Sequence, residues 1–520
     1  MMDATPLPNL LAALQALEEA HIPHAYWKAS RRLPHALAAG SDYDLLIPPG
    51  LRSRWMPLLQ DQGFFPVQTK PSNQLSQMAH LVGPGRDHAD PLVHLHLHEE
   101  AISGDYGVWG YSLGDPATLL PHRQRDGDTG VYRLSREVEL VLLMLRAFTE
   151  PKMRRGPDAS LSDKADADLQ FAWERCQPDE LQRRATEFIS APAAEGLVDL
   201  LSRGVDAASA LDALSPIIEA ELPRFERHAA PRRALKQARR RAHSISRAAY
   251  NKLRPSPLPQ WPIQQGLRAP EEGLFIAVVG PDGAGKSTLV DHLHRWLSAV
   301  FDTDEVYLGK GDVVSSAWQG LAHAKWWVLQ ECFDRQPPTA PNPTAEDIDD
   351  DVDPRSVETR SSSFDVQRTP LRQRLWELTR IARAGRQWRT ARRARRQRSR
   401  GLIVITDRFP HHRERFGSGP AILPDQGPPL WTPLASAAER ALMDRLAHNH
   451  GPDLVIRLSI SAEDAWRRVP HHSFRDIERK VQALERLSFP GAHHQVIDAT
   501  LSIPEVQRRA RKHIMELLQS

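Results

Sequence analysis

The sequence predicts an α/β protein: a C-terminal domain with a parallel sheet flanked by helices, and a smaller N-terminal α/β domain that carries a helical subdomain. Three observations predict it. From residue 273 to the end, strand-like and helix-like patterns alternate. Near the start of that stretch, an apolar run at 274–279 leads through Gly280-Pro281-Asp282-Gly283-Ala284-Gly285-Lys286-Ser287-Thr288 into helical spacing at Leu289, Leu293 and Leu297. Before residue 122, short strand and helix patterns mix, and from Ser135 to about 225 apolar residues such as Val138, Leu142 and Leu145 recur at helical intervals.

A chain of 520 residues is too long for one core, at roughly one domain per 150 residues. The expected division is 1–130 for the N-terminal α/β domain, 131–230 for the helical subdomain, 231–270 for a basic helix and proline-rich linker, and 271–520 for the C-terminal domain. Residues 231–254 carry arginines and lysines with no acid, and Pro255-Ser256-Pro257-Leu258-Pro259 follows. An insertion at about 337–370, rich in proline, acid and serine, reads as disordered.

No apolar run approaches the roughly 18 residues of a membrane span, and the first residues lack the basic flank and apolar stretch of a signal peptide, so the expectation is a cytoplasmic protein. The only cysteines, Cys176 and Cys332, are expected to be plain thiols.

The glycine-rich stretch has the order strand, loop, helix that a phosphate-binding loop requires. Its glycines, Gly280, Gly283 and Gly285, let backbone N–H groups turn toward phosphate oxygens, with Ala284 between them and the helix N-terminus adding its positive end. Lys286 is placed to bridge the β- and γ-phosphates of ATP. Ser287, followed by Thr288, offers a hydroxyl to Mg²⁺, which keeps most of its water shell and needs few protein ligands.

A buried-strand pattern at 401–406 ends in Asp407-Arg408-Phe409, where ligands collect in open parallel sheets. Asp407 can orient a magnesium-bound water or the acceptor, and Arg408 can grip an acceptor phosphate with two parallel hydrogen bonds. A further strand at 452–460 precedes Ser461-Ala462-Glu463-Asp464, a helix-capping pattern. That helix leads to Arg467, Arg468 and Arg475, which could close over a phosphoryl group as a lid.

With these residues in hand, the stretch from about 274 to 518 resembles thymidylate kinase. The glycine-rich loop, Asp407-Arg408-Phe409 and Pro452-Asp453-Leu454-Val455 carry the resemblance, and Val496-Ile497-Asp498-Ala499 is similar to the family's last strand. It implies that Asp282, Asp407 and Arg408 face an acceptor monophosphate, that Lys286 and Ser287 handle the donor, and that the three later arginines belong to a lid. The sequence shows no counterpart of the family's base-reading helix at 318–333 or 371–400, so thymidine monophosphate is the default acceptor only.

In the N-terminal domain, Ser41-Asp42-Tyr43-Asp44-Leu45-Leu46-Ile47 puts Asp42 and Asp44 on one face of a strand, a pair able to hold Mg²⁺. With Tyr26-Trp27-Lys28-Ala29-Ser30 upstream, residues 10–98 loosely resemble the nucleotidyltransferase fold, which implies two such acids and a third on a neighbouring strand. The neighbouring candidate, Val93-His94-Leu95-His96-Leu97-His98, carries histidines instead and could present imidazoles to a transition metal. Glu99 and Glu100 are the candidate third acids. A degenerate, ligand-sensing domain is the alternative to an active one.

Ten arginines between Arg380 and Arg400, with no acid among them, form a stretch open to nucleic acid, acidic lipid, the chain's own acidic insertion or plain solvent; self-pairing or a solvated face is favoured. The expected function is an ATP-dependent kinase acting on a nucleoside monophosphate or related metabolite, with ATP and a phosphorylated acceptor as partners; a homodimer is compatible with it. The alternative is a nucleotide-dependent switch that hydrolyses ATP while its basic segments engage a partner.

Overall fold

The computed structural model describes residues 6–69, 75–85, 91–104, 109–150, 153–155, 160–205, 207–222, 224–226, 242, 267–308, 370–410 and 431–520. Two compact units divide the chain, Met1–Ser246 and Arg247–Ser520. The basic stretch at 231–254, the proline-rich segment after it, the acidic insertion and Cys332 fall almost wholly or wholly outside the described residues.

In the N-terminal unit, strands β1 (Ala25–Tyr26), β2 (Tyr43–Leu46), β3 (Phe65–Thr69), β4 (Met78–Gly83), β5 (Val93–His98), β6 (Arg123–Arg125) and β7 (Tyr132–Leu134) lie side by side in the order β3-β4-β5-β2-β1-β7-β6. Strand β2 runs parallel to β5 with Asp44 opposite His96, and β5 runs antiparallel to β4 with His96 opposite His80. Directly opposed residues share a face. Asp44, His96 and His80 are thereby lined up across three adjacent strands. Helix α1 (Pro8–Glu19) adds Leu10, Leu14 and Leu17 to the core that includes Tyr43, Leu45, Leu95 and Leu97.

The helical part is built around α2 (Arg136–Thr149), capped by the Ser135 hydroxyl, which accepts from Val138 N–H at 3.4 Å. Every residue from Val138 to Ala147 is buried, so this helix is enclosed on all sides and not packed along a single stripe. Around it lie α3 (Asp163–Trp173), α4 (Pro178–Ala185), α5 (Ala191–Ser202) and α6 (Ala207–Glu221). Cys176 is a half-buried free thiol whose pKa burial pushes up to about 12.

The C-terminal unit contains a sheet whose pairings are all parallel, formed by β8 (Phe275–Val279), β9 (Thr303–Glu305), β10 (Ile403–Thr406), β11 (Leu454–Ser459) and β12 (His493–Asp498). Their spatial order is β9-β10-β8-β11-β12. Among the described residues its helices are α7 (Lys286–Ser298), α8 (Pro370–Arg398), α9 (Trp431–Asn449), α10 (Ala462–Arg468), α11 (Phe474–Glu485) and α12 (Ile503–Gln519). Continuously apolar strands such as Phe275–Val279, buried at every position, are what a sheet covered on both faces demands. Among the described residues no helix is long and apolar enough to cross a membrane.

The arginine-rich stretch is the C-terminal part of α8. Ala384, Gln387, Ala391 and Ala394 form its buried stripe, and Ala391 and Ala394 pack with Phe275, Ala277 and Leu446. Several of its arginines pair within the unit. Arg395 and Arg398 both reach Asp453, at 2.7 and 2.9 Å, Arg398 also meets Glu272, and Arg393 lies 3.3 Å from Asp304. Asp453 in turn accepts from Phe275 N–H at 2.8 Å, which ties the helix to the start of β8. These charges are occupied by the fold itself.

Candidate functional site

The order β9-β10-β8-β11-β12 has a topological switch. From β8 the chain crosses to the edge strand β9, returns to β10 beside β8, then passes over β8 to β11. Connections therefore leave β8 and β10 in opposite directions, and a crevice opens between their C-terminal ends. The loop 280–285 follows β8 and Asp407 follows β10, so the two motifs meet there.

The loop's conformation depends on its glycines. Gly283 and Gly285 both have φ of +83°, the left-handed region that side chains rarely adopt. A Cβ at Gly283 would lie 2.6 Å from the Ala465 carbonyl oxygen, so this glycine is needed for space as well as for φ. Gly285 is the N-cap of α7, whose first residues are Lys286, Ser287 and Thr288. Ser287 and Thr288 are exposed, while Lys286 is buried.

Lys286 Nζ donates to the Pro281 carbonyl at 2.7 Å and lies 3.8 Å from Asp282. Burial pulls its pKa down to about 8, with Arg408 adding to the effect and Asp282 and Asp407 opposing it. Asp282 is held at about 2: burial opposes its charge, but Lys480, which donates to it, and Lys286 outweigh that penalty. Asp407 and Arg408 stand 3.9 Å apart, with Asp407 largely covered and Arg408 partly open. Arg408, Asp407, Asp282, Lys480 and Lys286 thus form one electrostatic cluster.

Two participants carry no sequence signal of their own. Lys480 comes from α11, far along the chain from its partner Asp282, and only the fold brings it there. Glu305 ends β9 with its side chain exposed, and partial desolvation and the like charge of Asp407 raise its carboxyl above the usual range.

The expected lid arginines separate. Arg468 donates to the Gly283 carbonyl at 3.3 Å and to the Ala499 carbonyl at 3.0 Å, bridging the glycine loop and the exit of β12. Arg467 is exposed and lies 3.3 Å from Asp464, and Arg475 is exposed on α11. The helix that carries Arg467 and Arg468 starts as the capping pattern indicates, with Ser461 Oγ accepting from Asp464 N–H at 3.0 Å.

In the N-terminal unit Asp42 and Asp44 lead separate lives. Asp42 precedes β2, is largely exposed, and lies 2.8 Å from His94 Nδ1. Asp44 is buried, and three nitrogens converge on its Oδ1: Lys28 Nζ at 2.6 Å, His96 Nδ1 at 3.0 Å and His98 Nε2 at 3.1 Å. Burial alone would raise its carboxyl, but these neighbours hold Asp44 well below the usual range. Burial lowers the pKa of His96 to about 3 and of His98 to about 4, so both imidazoles are neutral at pH 7. Nearby, His80 stacks on His96 with ring centres 4.2 Å apart, and Trp27 meets His98 edge-on at 4.9 Å. Ser30, from the upstream motif, gives both its N–H and its hydroxyl to Glu139 at 2.8 Å.

No known family model matches the chain. It is 26% identical over 247 residues, 46% of its own length and 86% of the other's, to the uncharacterized ATP-binding protein YghR of Escherichia coli K12. It is 25% identical over 250 residues, 46% of its length and 91% of the other's, to the uncharacterized ATP-binding protein YghS of the same strain. Among solved structures, deoxyadenosine kinase from M. mycoides with bound dATP aligns over 48% of this chain and 100% of that one, at 16% identity and a TM-score of 0.22. The same enzyme with dCMP and dCDP aligns over 47% and 100%, at 14% identity and a TM-score of 0.23.

Proposed function

We propose that the C-terminal unit is an ATP- and Mg²⁺-dependent phosphotransferase of the P-loop kinase type. The observation that carries this is the meeting, at the switch point of a parallel sheet, of the glycine loop and α7 with Asp407 and Arg408. Relatives named as ATP-binding proteins support the donor half of the reading. The backbone of Gly280, Asp282, Gly283, Ala284 and Gly285 would hold the donor phosphates, Lys286 would turn from Pro281 and Asp282 toward them, and Ser287, with Thr288 beside it, would offer a hydroxyl to Mg²⁺. No metal chemistry beyond charge neutralisation and phosphate orientation is needed from that ion.

Arg408 supplies a planar two-pronged donor for an acceptor phosphate, and Arg468, already on the loop, stabilises the charge that spreads over the transferred group. Arg467 and Arg475 join on closure of the same segment. Under this reading the acceptor is a nucleoside monophosphate, thymidine monophosphate by default. One observation favours a second acceptor class. Glu305, exposed at the end of β9 opposite Ile405 and so next to Asp407, suits a general base for a substrate hydroxyl, which a phosphate acceptor does not require.

For the N-terminal unit, the reading is a nucleotidyltransferase-like module, active or degenerate, coupled to the kinase. A panel of nucleoside monophosphates, nucleosides and sugars, incubated with γ-labelled ATP and Mg²⁺, tests the proposal. Label transferred to an acceptor is expected. Arg408→Gln should then raise KM for a phosphate acceptor, whereas Glu305→Gln should lower kcat by on the order of 10²-fold for a hydroxyl acceptor. Label found only in inorganic phosphate throughout would replace the kinase with a nucleotide-hydrolysing switch.

A further inference from the structure

The N-terminal unit contains a second constellation that phosphoryl transfer does not use. Asp44, His96 and His98 are all buried, and each offers one ligating atom within 4.8 Å of the others. Two of the separations are closer still, 3.0 and 3.1 Å from Asp44 Oδ1 to His96 Nδ1 and His98 Nε2. Ligand atoms around a tetrahedral ion with bonds of about 2.0–2.1 Å stand roughly 3.3 Å apart. The two spacings to Asp44 are close to that value, and the third separation lies within 4.8 Å.

A further observation sets this apart from a carboxylate that merely accepts hydrogen bonds. A carboxylate oxygen has about two lone-pair sites, yet three nitrogens crowd onto Oδ1 of Asp44. Neutralising one aspartate needs no such crowding, since Lys28 alone supplies the opposite charge.

We infer that Asp44, His96 and His98 form a binding site for a divalent transition-metal ion of the zinc class. The ion takes one lone pair each from His96 Nδ1, His98 Nε2 and Asp44 Oδ1. Each imidazole keeps a single proton, carried on its outward nitrogen. Lys28, whose ammonium lies 2.6 Å from the same oxygen on a long flexible stem, withdraws as the ion enters. Two neutral nitrogen donors and one oxygen select against Mg²⁺, which prefers an octahedral shell of oxygens. Three protein ligands leave a fourth position for water or a substrate atom, the pattern of zinc sites that do chemistry. This inference stands apart from the kinase reading, since none of its residues belongs to the C-terminal unit.

Equilibrium dialysis of the full chain, stripped with a chelator and loaded with Zn²⁺, tests it, with Co²⁺ as a spectroscopic probe. The parent should bind one more equivalent than Asp44→Asn and than the His96→Gln/His98→Gln double variant, and Co²⁺ should give the intense visible bands of a four-coordinate site. Removing the competing ammonium in Lys28→Met should tighten Zn²⁺ binding about tenfold, a gain that an unfolded variant could not show. A large excess of Mg²⁺ should leave the bound Zn²⁺ in place. Equal metal content in parent and variants, no gain in Lys28→Met, or displacement by Mg²⁺ would overturn the assignment.

Discussion

The glycine-loop crevice and the histidine cluster are both built from titratable groups gathered at strand ends or on strand faces, but they handle charge in opposite ways. Around Lys286 the positive groups outnumber what Asp282 and Asp407 neutralise, and Ser287 and Thr288 stand open, so the crevice is prepared for an anion. Around Asp44 the imidazoles are kept neutral by burial and a single ammonium balances the carboxylate. The same burial that leaves Lys286 short of its full charge in the first site makes lone-pair donors of the histidines in the second. Desolvation disfavours whichever form is charged, and what that achieves depends on whether the group serves as a cation or as a ligand.

The largest effect that sharpens this contrast is expected from Lys286→Ala. If the crevice works by meeting phosphate charge, transfer from labelled ATP should fall by at least about 10²-fold in kcat. Unchanged transfer would show that the phosphate-binding assignment is wrong.

Gly283→Ala comes next. The added Cβ meets the Ala465 carbonyl at 2.6 Å and φ is +83°, so a loss of about 2–3 kcal/mol in unfolding free energy is expected, together with weaker ATP binding. Denaturant titration with and without nucleotide reads both. A variant as stable as the parent would mean that the loop has more than one competent conformation.

A smaller effect concerns the Lys480–Asp282 pair. Both side chains are about a quarter exposed, so Lys480→Gln should cost only about 1 kcal/mol. The sign of its pH dependence is fixed by the depressed pKa of Asp282. The stabilisation is present above the ordinary carboxylate pKa and is lost as pH falls toward about 2, so parent and variant should converge in acid. A difference between them that grows below pH 4 would contradict this.

The smallest signal is protonic. Since burial lowers the Lys286 pKa to about 8 and bound phosphates favour its charged form, ATP binding at pH 8 should take up on the order of half a proton, and almost none at pH 6.5. Calorimetry in buffers of different ionisation enthalpy measures the uptake. Equal uptake at both pH values would place the titrating group elsewhere.

What the sequence determined by itself is local. Gly280 to Thr288 announces its turn because the left-handed conformations and the helix start are decided by neighbouring residues, and β8, α7 and the Ser461 cap likewise appear where spacing and capping chemistry put them. The helical spacing from Val138 announces α2, but its burial on every side, Glu139 and Arg146 included, comes from the helices packed around it. Tertiary structure alone decided which distant groups meet. Arginines 393, 395 and 398 look like an open basic surface in the sequence, yet they find Asp304 and Asp453 because a stripe of alanines docks α8 onto the sheet. Lys480 reaches Asp282 from another helix, and Lys28, His96 and His98 reach Asp44 through the pairing of three strands. A periodic pattern encodes which way a side chain faces, but register and strand order, set by the packing of the whole core, choose its partner.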